Sequence, residues 1–539
     1  MRAALTKSSN CRSLPPMGPG LVLAWPARSN GGVGGSAGAD ALVVGAGPSG
    51  LFAAVELARH GVRARVVERA RQPHRQTRAT ALQPATLEIL SSAGLLDKVM
   101  AASVHVKFAR VFDASLACVS EVGIAGVGCE WEFQCSLPQW RTEQILTDRL
   151  AELGGNVDRG VTVISVTERD DGVLVDLEEA DGTRRTAEAA WVIGAGGAHS
   201  TTRGSMDETL AGSTYPGTAV AAEVQLSCAL PRDGTALIGC PVGYVFLAPL
   251  PGGRWLTFVG DLADSEVAAV QAGPADGPVA AVVGRRLPAD LVRVDDVGWA
   301  GIFRMQRRMV PRLADQRRFL LGDAGHLSSP FGGEGLNSGL HDASNLAWKL
   351  ALQIRGRARP GLVGSFAAER LTADQHVLQV SDRVHELAAQ AVESARTGTR
   401  PPPAPPAVAA ALIRARCMLD VSYPDSPLTG EHTAGGPPLP APVPGDRYPG
   451  RGGLAGLAHT LLLYGAARDA DLSQLGQRWR GLLDIRPGPG DPRQAGLVAD
   501  GVVLVRPDGY IGFRATPADA AGLTALDVHL ASYLVPAGG

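Results

Sequence analysis

The segment ADALVVGAGPSGLFAAVELARHGVRARVVERA, beginning at Ala39, constrains the fold of this chain more than any other. A continuous apolar run, the pattern of a parallel strand buried on both faces, ends in a GxGxxG turn made by Gly45, Gly47 and Gly50, with Pro48 and Ser49 inside it. A helical pattern follows, with Leu51, Val55 and Ala58 on one face and Gly61 as its stop. A second apolar run ends at Glu68, eighteen residues beyond Gly50, and Arg69 follows. Gly45 permits the tight turn, Gly47 lets bare backbone approach a pyrophosphate, and Gly50 lets helix and strand pack closely. The helix start adds unpaired N–H groups and the positive end of its dipole. Glu68 is then placed to accept hydrogen bonds from ribose hydroxyls. Order and spacing together favour a dinucleotide site over a merely structural turn, but they do not choose between FAD and NAD.

A second stretch, FLLGDAGHLSSPFGGEGLNSGLHDASNLAWKLA from Phe319, makes that choice. Asp323 closes an apolar strand, where a carboxylate can accept hydrogen bonds from the sugar-alcohol hydroxyls of an extended cofactor. Gly332, Gly333 and Gly335 then open a helix whose apolar face is Leu336, Leu340, Ala343, Leu346, Leu350 and Ile354. Glycines at a helix start let a flat ring meet backbone, and the dipole there favours negative charge. A reduced isoalloxazine carries such charge at its pyrimidine edge, so the pattern points to a flavin. The run AAWVIGAGGAHSTTR resembles another fingerprint, but His199 stands at the third glycine position, so a second dinucleotide must bind differently.

The bulk numbers exclude other classes. The 539 residues are 45% hydrophobic, enough for two or three domains, and the net charge of -2 gives no basic surface for nucleic acid or an anionic membrane. No apolar run is long enough to span a bilayer. The 7 cysteines have no paired short spacing, which argues against a disulfide framework or a zinc site and for a reducing cytoplasm. Residues 1–38 read as a disordered leader, with Met17 as another candidate start. The organisation expected is α/β, α+β overall. A Rossmann-type FAD-binding domain over 39–210 is followed by an inserted β-sheet substrate domain over 211–304. The FAD-binding domain resumes with a helical segment over 305–429, and a last unit follows over 430–539. Proline-rich breaks, TRPPPAPPAVAAA and GGPPLPAPVPGDRYPG, punctuate the second half.

Together, VVGAGPSGL, RATALQPATLEIL, LPQWRTEQIL, GDAGH, PFGGEGLNSGLHDASNLAWKL, SFAAER and VLVRPDGYIGFR resemble flavoprotein aromatic hydroxylases of the para-hydroxybenzoate and phenol hydroxylase superfamily. The likeness is greatest to the larger members that act on phenols and aromatic polyketides and carry a C-terminal thioredoxin-like domain. It covers almost everything after residue 38. It implies that Gly45, Gly47, Gly50 and Glu68 hold the ADP half of FAD, that Arg78 and Gln139 contact the cofactor, and that Asp323 meets its ribityl-pyrophosphate region. Pro330 would line the reaction site, and Gly333, Gly335, Leu336 and Asn337 would lie against the isoalloxazine. The family usually has Asp-Gly where this chain has Gly196-Gly197, which puts the nicotinamide contact in question, while Ser200 and Arg203 fit. Glu334 stands where Gln or Gly is more usual, and the sequence reading turns it to solvent. His326 is structural in the family, and Arg308 matches a family arginine that could meet the nicotinamide cofactor. The C-terminal unit holds no cysteine, which excludes thiol–disulfide chemistry there.

The resemblance implies a single-component monooxygenase. NADPH, or NADH, reduces FAD, and molecular oxygen yields a flavin hydroperoxide that hydroxylates a small phenolic or polyketide substrate. No metal is required, and a homodimer is compatible. Tyr244, Phe246 and Trp255 are the candidates for an apolar substrate wall. The alternatives are a Baeyer–Villiger-type oxygenase on the same scaffold and a flavin-binding protein without turnover.

Overall fold

A computed structural model describes residues 39–77, 79–399, 405–433, 440–449, 456–469, 471–498 and 500–536. The leader expected over 1–38 and the candidate Arg78 lie outside them.

The fingerprint forms the centre of a seven-stranded sheet. Strand Ala39–Val44 pairs in parallel with Ala64–Glu68 on one side and Arg184–Gly194 on the other. Val157–Arg159 extends the first edge, and Arg318–Leu320 pairs in parallel with the end of Arg184–Gly194. Val173–Glu179 and Val161–Glu168 complete the sheet as an antiparallel arm. Helix Pro48–Arg59 starts with its proline in the first turn, where a missing N–H removes no helical bond. Gly45 has φ +107, and a Cβ on Gly50 would stand 2.1 Å from the Gly45 carbonyl oxygen, so neither position admits a side chain. Helix Gly335–Ile354 packs against helix Pro48–Arg59. They meet at Gly339, where a Cβ would lie 2.1 Å from Ser49 Oγ and 3.1 Å from the Gly322 Cα.

A second seven-stranded sheet runs in the order Val292–Phe303, Ala219–Cys228, Arg254–Val259, Tyr244–Pro249, Gly234–Gly239, Phe108–Phe112 and Cys118–Gly123. The last two strands come from within 39–210, outside the 211–304 span read from sequence. Phe108–Phe112 pairs in parallel with Gly234–Gly239 across more than a hundred residues. Cys118–Gly123 is largely exposed, so it lacks the apolar alternation that marks a half-buried strand. A three-stranded ribbon of Ala211–Thr214, Gln306–Met309 and His326–Leu327 joins the two sheets' connections.

The C-terminal unit is a five-stranded sheet, Gly430–Thr433, Ile511–Thr516, Gly501–Val505, His459–Tyr464 and Leu483–Pro487 in spatial order. Helix Ala520–Tyr533 closes it through buried Leu526 and Leu530, with Leu534 buried just past its end. Buried charges fix this unit to the helices of the FAD-binding domain. Glu369, on helix Ser365–Thr397, accepts hydrogen bonds from both terminal nitrogens of Arg506 at 2.6 and 2.8 Å and from Lys349 Nζ at 2.7 Å. Arg506 Nε also donates to Asp508 at 3.0 Å, and all four side chains are buried. Burial lowers the Lys349 pKa to about 8, against the pull of Glu369. Among the described residues no helix is long and apolar enough to cross a membrane.

Removing one partner of such a cluster strands the other charge in low dielectric. Arg506→Met is expected to lower stability by about 3–5 kcal/mol, read as a fall in the urea unfolding midpoint of the full chain.

Candidate functional site

One cleft joins the two glycine motifs. Gly47, Pro48, Ser49 and Gln139 line one part of it, Asp323, Pro330, Gly333, Gly335 and Leu336 another, and Phe246, Ala248, Leu256 and Phe258 form the wall from the second sheet. The starts of helices Pro48–Arg59 and Gly335–Ile354 both face it, and neither has a side-chain cap. Two sets of unpaired backbone N–H groups, each at a positive dipole end, therefore meet in one space. A Cβ on Gly47 would meet nothing within 4 Å, so bare backbone is presented to whatever occupies the cleft. Ser136 also lines it, and its buried Oγ has no hydrogen-bond partner. These features fit a dinucleotide, whose pyrophosphate would be held at the first helix start and whose flavin ring would be held at the second.

The other candidates take definite places. Glu68 braces the glycine turn: its two oxygens accept from the backbone N–H groups of Ala46 and Ala70, each at 2.9 Å, which leaves lone pairs for a ribose. Arg69 is exposed beside it. Gln139 Nε2 donates to Glu143 at 2.8 Å, and burial raises the Glu143 carboxyl to about 7. Asn337 does not line the cleft. It is buried and locks the loop, donating to the carbonyls of Ala81 and Gly333 and accepting from the Gln83 N–H. Ser200 caps helix Thr201–Ser205, and the Arg203 guanidinium ties the carbonyls of Ala198 and Ala324 together. Arg308 donates to Thr214 Oγ1 at 3.2 Å on the ribbon.

Of the three aromatic candidates, Phe246 alone lines the cleft. Trp255 is turned away by strand alternation: Leu256 faces the cleft, while the Trp255 ring packs in the core behind, under the Arg232 guanidinium at 4.7 Å. Tyr244 is set back, its ring 5.2 Å from that of Phe331. Leu256, Phe258 and Phe331 were not singled out from sequence. The alternation RWLTFV holds the signal for the first two, once the buried face is known.

The FAD binding domain family matches residues 38–381. The chain is 33% identical, over 93% of its length and 94% of the relative's, to 6-methylpretetramide 4-monooxygenase of Streptomyces rimosus. It is 31% identical, over 89% and 95%, to a 12-dehydrotetracycline 5-monooxygenase/anhydrotetracycline 6-monooxygenase of Streptomyces rimosus subsp. rimosus. Its fold is similar to that of aklavinone-11 hydroxylase, solved with FAD and aklavinone (TM-score 0.74, 26% identity, 91% of this chain and 98% of that one). It is also similar to OxyS anhydrotetracycline hydroxylase from Streptomyces rimosus (TM-score 0.72, 28% identity, 90% and 97%). The chain belongs to the FAD binding domain family of flavin-dependent monooxygenases.

Two buried ionisable groups stand beside the glycine-rich loop that opens helix Gly335–Ile354. His326 is buried, with Nε2 2.8 Å from Asp342. Burial alone would lower its pKa, but Asp374 and Asp342 raise it to about 9, so it is an imidazolium at neutral pH. Asp342 also accepts from the Gly322 N–H at 2.9 Å and from Arg370 Nε at 2.7 Å, and Arg370 reaches Asp374 at 2.6 Å. His326, Asp342 and Asp374 have the spacing of a metal site, but the cation bonded to both carboxylates is the Arg370 guanidinium. His326 thus pins the GDAGH turn to the flavin-facing helix.

Glu334 departs from its expected exposure. It is 0% exposed, folded back over Gly332, and neither carboxylate oxygen has a hydrogen-bond partner. The loop turns inward because Asn337 anchors it to Ala81 and Gln83, a contact invisible in local sequence. Burial raises the Glu334 carboxyl to about 7, with Arg416 opposing the rise. The sign follows. Between its ordinary pKa and about 7 the unfolded chain has released this proton while the folded chain keeps it, so stability falls as pH rises. Glu334→Gln removes that loss. Its stability relative to wild type should rise by about 3 kcal/mol between about pH 5 and about pH 8, measured by urea unfolding at both.

Proposed function

We propose that this monooxygenase hydroxylates a phenolic, fused-ring aromatic substrate of the polyketide type, with NADPH as the reductant. The observation that carries the proposal is the single cleft in which an apolar aromatic wall faces the flavin-loop helix start. Bound FAD supplies the reducing equivalents that activate molecular oxygen for transfer to an aromatic carbon. The chain supplies position and environment. The N–H groups after Gly47 would hold the pyrophosphate, and Asp323 would meet the ribityl hydroxyls. The start of helix Gly335–Ile354 would stabilise negative charge on the ring. Phe246, Leu256 and Phe258 exclude water and hold a planar substrate edge toward Pro330. The named activities of the relatives, on 6-methylpretetramide and on 12-dehydrotetracycline and anhydrotetracycline, support the fused-ring class.

The test is anaerobic stopped-flow reduction of the FAD-loaded chain by NADPH with and without fused-ring phenols, followed by oxygen uptake and product mass. Substrate-stimulated flavin bleaching and a hydroxylated ring are expected. A lactone product would replace this assignment with Baeyer–Villiger chemistry, and no oxygen uptake with any aromatic would leave a flavin-binding protein.

Gly196 bears on the reductive half. Its φ of -76 is ordinary, and a Cβ there would come no nearer than 3.5 Å to Ser200, so packing does not require glycine. Gly196→Asp is expected to leave stability within about 0.5 kcal/mol of wild type. It should quicken FAD reduction by NADPH in the same stopped-flow assay.

A further inference from the structure

The aromatic wall encloses one polar pair that cofactor binding does not account for. Ser329, immediately before Pro330, lines the cleft and is 1% exposed. Its Oγ lies 3.1 Å from Nδ1 of His385. The Phe331 N–H donates to the same Oγ at 3.4 Å, and the serine's own proton reaches the imidazole in the tautomer that leaves Nδ1 unprotonated. His385 comes from the middle of helix Ser365–Thr397, where nothing in the local sequence marks it.

The imidazole stands behind two cleft-lining residues, Ser329 and Phe331, and is partly exposed. It is stacked on Tyr215 at 4.2 Å and met edge-on by Phe331 at 5.1 Å. The charged groups around it are largely paired with one another. Asp382 accepts from the Tyr215 hydroxyl and pairs with Arg307 of the ribbon at 2.7 Å, and Glu386 pairs with Arg383 at 3.2 Å. Burial lowers the His385 pKa below its ordinary value, and Asp382 and Glu386 only partly offset this. The neutral ring is therefore favoured, and in the tautomer protonated at Nε2 its Nδ1 accepts the Ser329 proton.

We propose that Ser329 and His385 form a proton exit for the substrate hydroxyl, an inference that rests on the cleft's being the phenol site. The substrate O–H breaks as its proton passes to Ser329 Oγ, and the serine proton passes to His385 Nδ1. The cleft then holds a phenolate and His385 an imidazolium, which returns a proton to water. No electrons are transferred in this step. Ser329 touches the substrate; His385 acts through it. A phenolate is the more nucleophilic form of the ring, so the relay prepares the substrate for oxygen transfer. Fused-ring phenols conjugated to carbonyls are acidic enough for a neutral imidazole to compete for their proton.

The test uses the FAD-loaded full chain and alizarin, a fused-ring phenol whose phenolate absorbs at longer wavelength. Stopped-flow mixing on the acid side of alizarin's own pKa, where the free phenol still holds its proton, reads phenolate formation and, with an indicator dye, proton release, while equilibrium titration reads affinity. His385→Gln and Ser329→Ala should each slow proton release by about 100-fold without a matching loss of affinity. In His385→Ala, added imidazole should restore the rate, a rescue that a structural role would not give. Equal proton-release rates in wild type and both variants would overturn the relay and leave the phenol site standing. Failure of wild type to bind alizarin or any other fused-ring phenol would overturn both.

Discussion

The structure depends on one close approach. Ser49, in the first turn of helix Pro48–Arg59, is wedged against two glycines, Gly322 before the acid of the second motif and Gly339 in the flavin-facing helix. A Cβ at either position would collide with its hydroxyl, at 2.5 and 2.1 Å. Because the contact is this tight, the starts of two helices far apart in sequence open into the same cleft. Each start offers unpaired N–H groups and a positive dipole end. One such end makes a phosphate site; two in a shared cleft make a site for a long molecule with negative charge at two places.

Buried charge holds that approach in register. Asp342 lies on the flavin-facing helix and takes hydrogen bonds from the Gly322 N–H, His326 and Arg370. It therefore ties the turn carrying Asp323 to the helix that follows. One and two turns further along, Asn345 and Lys349 meet Glu369, which grips Arg506 of the C-terminal sheet. Removing ions from water costs several kcal/mol each, and only dense mutual pairing offsets it. The C-terminal unit is thereby tied to helix Gly335–Ile354 through Glu369. Glu334 is the exception in this region, since both its oxygens lie buried without a hydrogen bond.

Much of this was legible in the chain itself. The fingerprint, the glycine-rich second helix start, the strand-rich middle and the closing strand pair and helix each carry a local period or a spacing set by backbone sterics. Four features were not legible. The edge strands Phe108–Phe112 and Cys118–Gly123 join the second sheet by long-range pairing and are too exposed to alternate. Trp255 and Leu256 are neighbours of similar character, and only the sheet's packing decides which meets the cleft. Glu334 is turned inward by a loop anchored to residues some 250 positions away. His385 is one polar residue among many on a long helix until Ser329 is brought beside it.

By itself, then, the sequence determined that this chain builds a glycine turn between a buried strand and a helix and a second, glycine-opened helix start, because steric demands on glycine and the period of apolar residues are local properties. The tertiary structure alone decided that both serve one cleft, which aromatic faces form its wall, where an unpaired carboxyl is buried and which histidine reaches its serine. Those outcomes depend on side-chain direction and long-range packing, and no short window of residues encodes either.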